Sequence, residues 1–311
     1  MKSIVIGGLG QDGSFLIDRL AGIQEVICVH RRKTVIEQKG VRYYRLDNKD
    51  RDIRNLIENE RPDVIFNFAG VSNVFDPWDN VEETISLNTT LPALIISEIL
   101  KSTPQTKFVQ ASSSLVFGSS SEVCNEETRR DPITPYGITK NAADSLISEA
   151  RRIFNLNACS VVLFNHESER RGDNFFTKKV INAAIDFSRG LRSEPLSLGS
   201  LESARDMGYA WEYVQALQEI SSMEILEDFV VGTGSLIGMR DFVEEVFEYF
   251  GMDYRKYVVE NVSTNRIEVV RPIKADPRKL HKKIGWTVQK LSTRVLIDRV
   301  IKRRETNART F

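Results

Sequence analysis

Tyr136 and Lys140 stand four residues apart in the run Pro135-Tyr136-Gly137-Ile138-Thr139-Lys140. On a helix that spacing puts both side chains on one face, one turn apart, so the ammonium can lie near the phenol and favour its ionised form. A phenol with a lowered pKa is an acid/base usable near neutrality. The same spacing arises by chance in many helices, and only a cofactor site elsewhere in the chain gives the pair a redox role.

Such a site is written at the N-terminus. Gly7, Gly10 and Gly13 punctuate Gly7-Gly8-Leu9-Gly10-Gln11-Asp12-Gly13, after the β-branched run Lys2–Ile6 and before helical apolar spacing at 14–20. A strand, a glycine turn and a helix start are what a pyrophosphate needs: close backbone approach and the positive end of a helix. The turn, Gln11 and Asp12 included, is therefore a candidate dinucleotide site. An acidic residue at the end of the second strand would bind a ribose 2′-hydroxyl and repel a 2′-phosphate. The chain has His30-Arg31-Arg32-Lys33 there, and guanidiniums match phosphate, so Arg31 and Arg32 favour NADP(H) over NAD(H). An exposed basic loop that touches nothing would read the same. After the strand at 41–45 come Leu46 and Asp47, the latter placed to accept from an adenine amino group. Asn67-Phe68-Ala69-Gly70 ends the fourth strand with small residues, Ala69 among them, against which a cofactor can lie flat. Turn chemistry would account for either stretch as well.

The elements that must position these residues alternate. Apolar strands at 26–29, 64–68, 108–111 and 160–164 are separated by segments of helical periodicity. The class is α/β, with a doubly wound parallel sheet. Beyond 164 the pattern loosens into helices near 178–189, 206–221, 239–249 and 295–304 with short strands between, as in a smaller mixed α/β substrate lobe. The expected division is 1–164 for the dinucleotide-binding domain, with later segments returning to it, 165–305 mainly for the lobe, and 306–311 for a tail. The 311 residues carry 43 Lys+Arg against 43 Asp+Glu, which argues against a nucleic-acid partner. Apolar runs are too short for a membrane span, and Met1 opens directly into a strand, so a cytoplasmic location is expected. Cys28, Cys124 and Cys159 have no metal or redox spacing, and no metal site is expected.

The glycine turn, Asn67-Phe68-Ala69-Gly70, the serines after Gln110 and Y-x-x-x-K together resemble the extended short-chain dehydrogenase/reductase superfamily. Gly10-Gln11-Asp12-Gly13, Gln110-Ala111-Ser112-Ser113-Ser114, Phe164-Asn165-His166-Glu167-Ser168-Glu169-Arg170-Arg171-Gly172 and Ala204-Arg205-Asp206-Met207-Gly208-Tyr209-Ala210 are similar, in order and spacing, to the GDP-mannose 4,6-dehydratase family. The resemblance covers nearly the whole chain. It implies a Rossmann-type domain binding NADP(H), a C-terminal lobe binding a GDP-sugar, and hydride exchange at sugar carbon 4. It gives Tyr136 the C4 hydroxyl proton and Lys140 the nicotinamide ribose. Ser113, which falls where the family has a threonine, would bind the C4 oxygen. Asn165 is expected at the sugar diphosphate, and His166 and Arg171 beside the cofactor or a subunit contact. Thr177 and Lys178 match the stretch that approaches the nucleotide, and Arg205 and Arg271 match arginines near the guanosine diphosphate. A structurally satisfied histidine and surface salt bridges would account for His166 and the two arginines equally well.

The resemblance breaks at one catalytic position. The dehydratases read Thr-Ser-Glu, and that glutamate abstracts the C5 proton; this chain reads Ser113-Ser114-Leu115. Leucine exchanges no proton, and a missing base costs about 10² to 10⁴ in rate. Glu122, Glu126 and Glu127 follow in the next loop as candidates to replace it. The surviving residues support 4-keto reduction or 4-oxidation of a GDP-hexose or GDP-heptose. The alternatives are a 4,6-dehydratase or epimerase with a displaced base, and a regulator that binds cofactor and sugar nucleotide. The loop at 34–40 is too short for the intersubunit reach on which the family's tetramer is built. A homodimer, or a higher homo-oligomer, would use helices at 81–100 and 136–154.

Overall fold

Strands rich in β-branched residues and buried on both faces need helices on both sides of their sheet. The computed structural model describes residues 1–33, 35–71, 80–118, 121–261 and 272–308, with side chains as far as 306. Its first half runs β1 (Lys2–Ile6), α1 (Gln11–Leu20), β2 (Glu25–His30), β3 (Val41–Arg45), α2 (Lys49–Glu60), β4 (Val64–Asn67), α3 (Val81–Ile85), α4 (Leu91–Ser102), β5 (Lys107–Ser113), β6 (Val123–Cys124), α5 (Pro135–Phe154) and β7 (Ala158–Leu163). The second half runs β8 (Asn165–Glu167), α6 (Phe176–Ser188), β9 (Leu196–Leu198), β10 (Ala204–Tyr209), α7 (Ala210–Ser221), β11 (Phe229–Val231), β12 (Leu236–Gly238), α8 (Met239–Tyr249), β13 (Val258–Glu260), β14 (Lys274–Ala275), α9 (Arg278–Ile284) and α10 (Thr293–Ala308).

The main sheet has seven strands in the order β3-β2-β1-β4-β5-β7-β11, all parallel. The chain is α/β with a Rossmann-like doubly wound sheet. Alternation along each strand divides the core: Ile4, Ile6, Ile27 and Ile65 pack with Ile53, Leu56, Leu94, Ile95 and Ile147 of α2, α4 and α5. Val5, Val26, Cys28 and Val161 pack on the other face with Phe15 and Leu16 of α1 and Val214 and Leu217 of α7. Strand order reverses between β1 and β4, so the connections leaving their C-terminal ends diverge to opposite faces and open a crevice between them. A π turn at Ser86–Thr90 interrupts what reads in sequence as one helix over 81–100.

A second core holds the smaller lobe, where Val180, Ile181, Phe242, Phe247, Leu296 and Ile297 of α6, α8 and α10 pack together. Its three-stranded sheet, β12-β10-β8, is mixed. Here the sequence reading needs correction: 206–221 is not one helix, since Ala204–Tyr209 is strand and α7 begins at Ala210. The cause is Asp206, whose buried carboxylate accepts from Thr233 N (2.9 Å) and Oγ1 (2.6 Å), Gly234 N (2.9 Å) and Ala275 N (2.9 Å). An extended backbone places that carboxylate among all four donors. α10 also runs on to Ala308, through part of the expected tail. No helix among the described residues is long and apolar enough to cross a membrane, and none of their His, Cys, Asp and Glu side chains form a group able to hold a metal ion. All three cysteines are buried and free.

Removing the Asp206 carboxylate leaves several buried donors without an acceptor. Asp206→Ala is expected to lower unfolding free energy by about 3–5 kcal/mol, read from the urea midpoint. An unchanged midpoint would show that these donors find other partners.

Candidate active site

The glycine turn is shaped by contact. Gly7 has φ +79° and its missing Cβ would lie 2.8 Å from Ala69 N, while a Cβ on Gly13 would lie 2.5 Å from the Gly7 carbonyl oxygen. Only glycine lets β1, β4 and α1 meet this closely. Gly10 N donates to Gly7 O at 2.9 Å, and Gly10 caps α1 without a side-chain bond. First-turn N–H groups of α1 are thereby left to face an anion. Ala69 N donates to Asn67 Oδ1 (3.1 Å), and Asn67 Nδ2 donates to Gln110 Oε1 (2.8 Å), which ties the ends of β4 and β5 together.

At the end of β2, Arg31 pairs with Glu83 at 3.1 Å, both well exposed, and Arg32 is exposed. Leu46 N donates to His30 O (2.8 Å). The Asp47 carboxylate is exposed and accepts from Arg45 Nε (2.9 Å), while the Asp47 and Asn48 amides are held by Asp52 (2.8 and 2.7 Å). All four residues stand on the C-terminal side of β2 and β3.

Tyr136 and Lys140 lie in the first turns of α5, which starts at Pro135 under a Thr134 cap whose hydroxyl accepts from Gly137 N (3.1 Å). Lys140 is buried, its Nζ donating to the Ala111 carbonyl at 2.9 Å and lying 5.9 Å from the Tyr136 ring centroid. Burial lowers the ammonium to about 8, against the opposing charges of Asp144 and Asp12. Burial raises the Tyr136 phenol above its ordinary value, against a hydrogen bond with Ser113 and the charge of Arg171. The expected lowering of this phenol by Lys140 is thus not what the geometry produces. The ammonium is directed at a backbone carbonyl, and desolvation dominates. Ser113 Oγ also accepts from Leu115 N (3.3 Å).

The sequence reading missed Asn88. It lies buried in the π turn, donates to Thr139 Oγ1 (3.1 Å), accepts from Val71 N (3.2 Å), and borders Gly70 beside Lys140 Nζ. The polar run Ser86-Leu87-Asn88-Thr89-Thr90 carries no signal that separates this asparagine from a solvated one.

Residues 165–171 close the site from the lobe. His166 Nδ1 meets Phe164 O at 2.7 Å and Nε2 meets Asp12 at 3.1 Å. Burial favours the neutral imidazole, but the charge and hydrogen bond of Asp12 outweigh it and raise His166. Burial likewise favours a neutral Asp12, and His166 and Arg171 outweigh it and lower that carboxyl. Gln11 Nε2 donates to His166 O (3.2 Å), and Ser168 Oγ donates to Gln11 Oε1 (2.8 Å). The side chains of Gln11 and Asp12 therefore engage the lobe, and only their backbone is left to the turn. Arg171 stacks on Phe175 at 3.7 Å, and Thr177 Oγ1 donates to Glu167 Oε2 (2.5 Å). Lys178 is buried, donates to Glu169 O (3.2 Å), and lines a cavity of about 400 Å³ with Arg171, Asn182, Arg303 and Arg304. Asn165 is exposed on β8, and Arg205 Nη1 donates to Ala204 O (2.9 Å). Arg271 lies outside the described residues.

Leu115 occupies a 3₁₀ turn, Ser114–Val116, whose Leu115 carbonyl packs against Gly137 beside Tyr136. Of the loop glutamates, Glu126 accepts from Val230 N at 2.8 Å, and Glu122 and Glu127 are exposed.

A family model described as GDP-mannose 4,6 dehydratase matches residues 4–300. GDP-mannose 4,6 dehydratase 2 of Arabidopsis thaliana is 30% identical over 308 residues, covering 92% of this chain and 82% of the relative. Among solved structures, MoeE5 in complex with UDP-glucuronic acid and NAD has a TM-score of 0.85 at 25% identity, covering 98% of this chain and 100% of that one. The structure of RMD from Pseudomonas aeruginosa complexed with NADPH has a TM-score of 0.79 at 18% identity, covering 97% and 98%, and shares the fold.

The His166–Asp12 pair makes the join between domain and lobe pH-dependent. A raised histidine stabilises fully below its ordinary value of about 6.5 and loses that contribution as pH rises through the folded value. The lowered Asp12 contributes above about 4 and loses its contribution as pH falls through its own folded value. Unfolding free energy, taken as wild type minus His166→Gln, is expected to be larger near about pH 6 than near about pH 9. Taking this difference cancels Lys140, and a flat difference would contradict the pairing.

Proposed function

The chain belongs to the GDP-mannose 4,6-dehydratase family, and from this membership we propose an NADP(H)-dependent enzyme exchanging hydride at C4 of a GDP-hexose or GDP-heptose. Its simplest reaction is reduction of a 4-keto sugar, or the reverse. The family makes it a nicotinamide-dependent enzyme of the short-chain dehydrogenase/reductase type acting on a nucleotide sugar. The narrower reading rests on Ser113, Tyr136 and Lys140 standing together where Leu115 replaces the glutamate needed for water loss.

The residues present fit a nicotinamide dinucleotide: Gly7 and Gly13 form a cradle that a Cβ would fill, at an α1 N-terminus with no side-chain cap. When bound, the cofactor supplies or accepts the hydride. In reduction, the Tyr136 phenol gives its proton to the C4 oxygen, so hydride and proton together convert carbonyl to hydroxyl. With its pKa raised by burial, the phenol carries at neutral pH the proton that this direction consumes. Ser113 donates a hydrogen bond to the same oxygen while charge develops there. The Lys140 ammonium, buried next to Tyr136, supplies positive charge near the ionised phenol after transfer. Asn165, Thr177, Lys178, Arg205 and Arg271 are assigned to the GDP-sugar, and His166 and Arg171 to the cofactor side of the join. With Glu126 taken by a backbone amide, a displaced base gains no support.

NADP(H) preference rests on Arg31 and Arg32. The exposed Arg31–Glu83 pair contributes only about 0–1 kcal/mol, so Arg31 can be released to a 2′-phosphate. Ala69, Leu46 and Asp47 are assigned to the nucleoside end. A homodimer is supported by Ile138, Leu146, Ile153 and Phe154, left exposed along α5, and by Ile85 on α3. The apolar face of α4 is instead buried within the chain, through Leu91, Leu94, Ile95 and Ile99.

Incubation with NADPH and a GDP-4-keto sugar is expected to add two hydrogens to the sugar by mass, and Tyr136→Phe to cut turnover by about 10² to 10⁴. Loss of water from GDP-mannose would instead establish a dehydratase. Wild type should bind NADPH more tightly than NADH, and Arg31→Ala should narrow the gap; equal affinities in wild type would sink the assignment.

A further inference from the structure

Three consecutive residues of β5 are held by three successive turns of α5. Ser113 faces the Tyr136 phenol and lowers it against burial, the Ala111 carbonyl accepts from Lys140 Nζ at 2.9 Å, and Ser112 Oγ donates to Asp144 Oδ2 at 2.6 Å. The first two contacts belong to the proton-handling pair. The third belongs to a residue with no role in the reading above.

Asp144 is 5% exposed. Its Oδ2 also accepts from Arg130 Nη1 at 2.6 Å, while Oδ1 is buried without a hydrogen-bond partner. The Ser160 hydroxyl of β7 approaches the carboxylate but completes no bond of good geometry. A clamp between helix and strand needs only a polar group, and asparagine would hold Ser112 as well. A buried carboxylate with one oxygen unbonded is costly unless its charge has a use. Arg130 meets part of that charge, and a second partner stands one turn back along α5: the ammonium of Lys140, which among the described residues bonds the Ala111 carbonyl and is supported by the charges of Asp144 and Asp12.

We propose that Asp144 is a positioning residue for the Tyr136–Lys140 pair, its carboxylate, held by Ser112 and Arg130, serving as counter-charge to the buried ammonium. The proposal rests on the reading of Tyr136 and Lys140 as the groups that handle the proton. The charged groups facing the cluster are Arg130 and Asp228 at Asp144, Asp12 and Asp144 at Lys140, and Arg171, Asp12 and Asp144 at Tyr136. Burial favours a neutral Lys140, so losing one of two supporting anions lowers its titration further. The same loss removes a charge that opposes ionisation of Tyr136. Lys140 then loses its proton at lower pH, and with it the positive charge it places beside the phenol during reduction.

The test follows Lys140 directly in the full chain by NMR of ¹³C-lysine-labelled protein, its signal assigned by disappearance in Lys140→Met. Wild type is expected to titrate at about 8. Asp144→Asn and Asp144→Ser, both neutral and both able to bond Ser112, are expected to lower that midpoint by about one pH unit. With turnover in hand, the basic limb of kcat/KM for 4-keto reduction should move down with it. Ser112→Ala breaks the clamp but keeps the charge, and is expected to leave Lys140 where it is. An unmoved Lys140 in a folded neutral variant overturns the proposal. A fall in Ser112→Ala overturns it too, even if neither neutral variant folds. Because the lysine titration needs no substrate, absence of turnover on every GDP-sugar would contradict the proposed reaction and leave this result standing.

Discussion

The bond from Lys140 Nζ to the Ala111 carbonyl is the constraint on which the candidate site depends. The last residues of β5 have a carbonyl and two hydroxyls to place, and α5 bonds the Ala111 carbonyl through Lys140 and the Ser112 hydroxyl through Asp144, one turn apart. A parallel sheet aligns strand ends but leaves open which helix residue faces which strand residue. Burying an ammonium on one particular carbonyl settles that choice, because a slip of one residue would strand a desolvated charge. Tyr136 is then delivered to Ser113 by the same helix turn geometry. The Thr134 cap and Pro135 hold that first turn in place.

The second organising feature is that α1 works on two sides. Its N-terminus, uncapped by a side chain, is shaped for an anion, while Gln11, Asp12, Ser14 and Asp18 are taken by residues 166–170 of the lobe. The domain that would hold a dinucleotide is thus bonded to the lobe through the helix that would hold its pyrophosphate. Arg170 adds a stacking contact on Phe15, 4.0 Å from the ring centroid. The two halves of the chain meet beside the crevice that the reversal of strand order opens, joined there by a few short bonds from α1 to residues 166–170.

Much of this was legible in sequence because it is periodic. β-Branched runs separated by helical spacing specify a doubly wound sheet whichever residues line it, and the glycines mark where backbones must touch. What was not legible depends on partners far away in the chain. Asp206 reads as the start of a helix until Thr233, Gly234 and Ala275 are seen to converge on it. Helical spacing correctly made Tyr136 and Lys140 neighbours, but spacing does not say that the ammonium would turn to Ala111 or that burial would raise the phenol. Gln11 and Asp12 belong to the turn by position and to the lobe by side chain, a division that only a tertiary contact can make.

The same separation of backbone from side chain explains how Leu115 can stand at a position where relatives need an acid. Its N–H donates to Ser113 Oγ, and its carbonyl packs against Gly137 at the first turn of α5. Both contacts that tie this residue to the site are made by its backbone. A 3₁₀ turn fixes those two backbone groups without calling on the Leu115 side chain. Hydride transfer and proton abstraction at a neighbouring carbon therefore depend on separable parts of one scaffold. In the proposed reaction, hydride transfer at C4 calls only on the groups held between β5 and α5, and proton abstraction would call on a side chain that Leu115 does not supply.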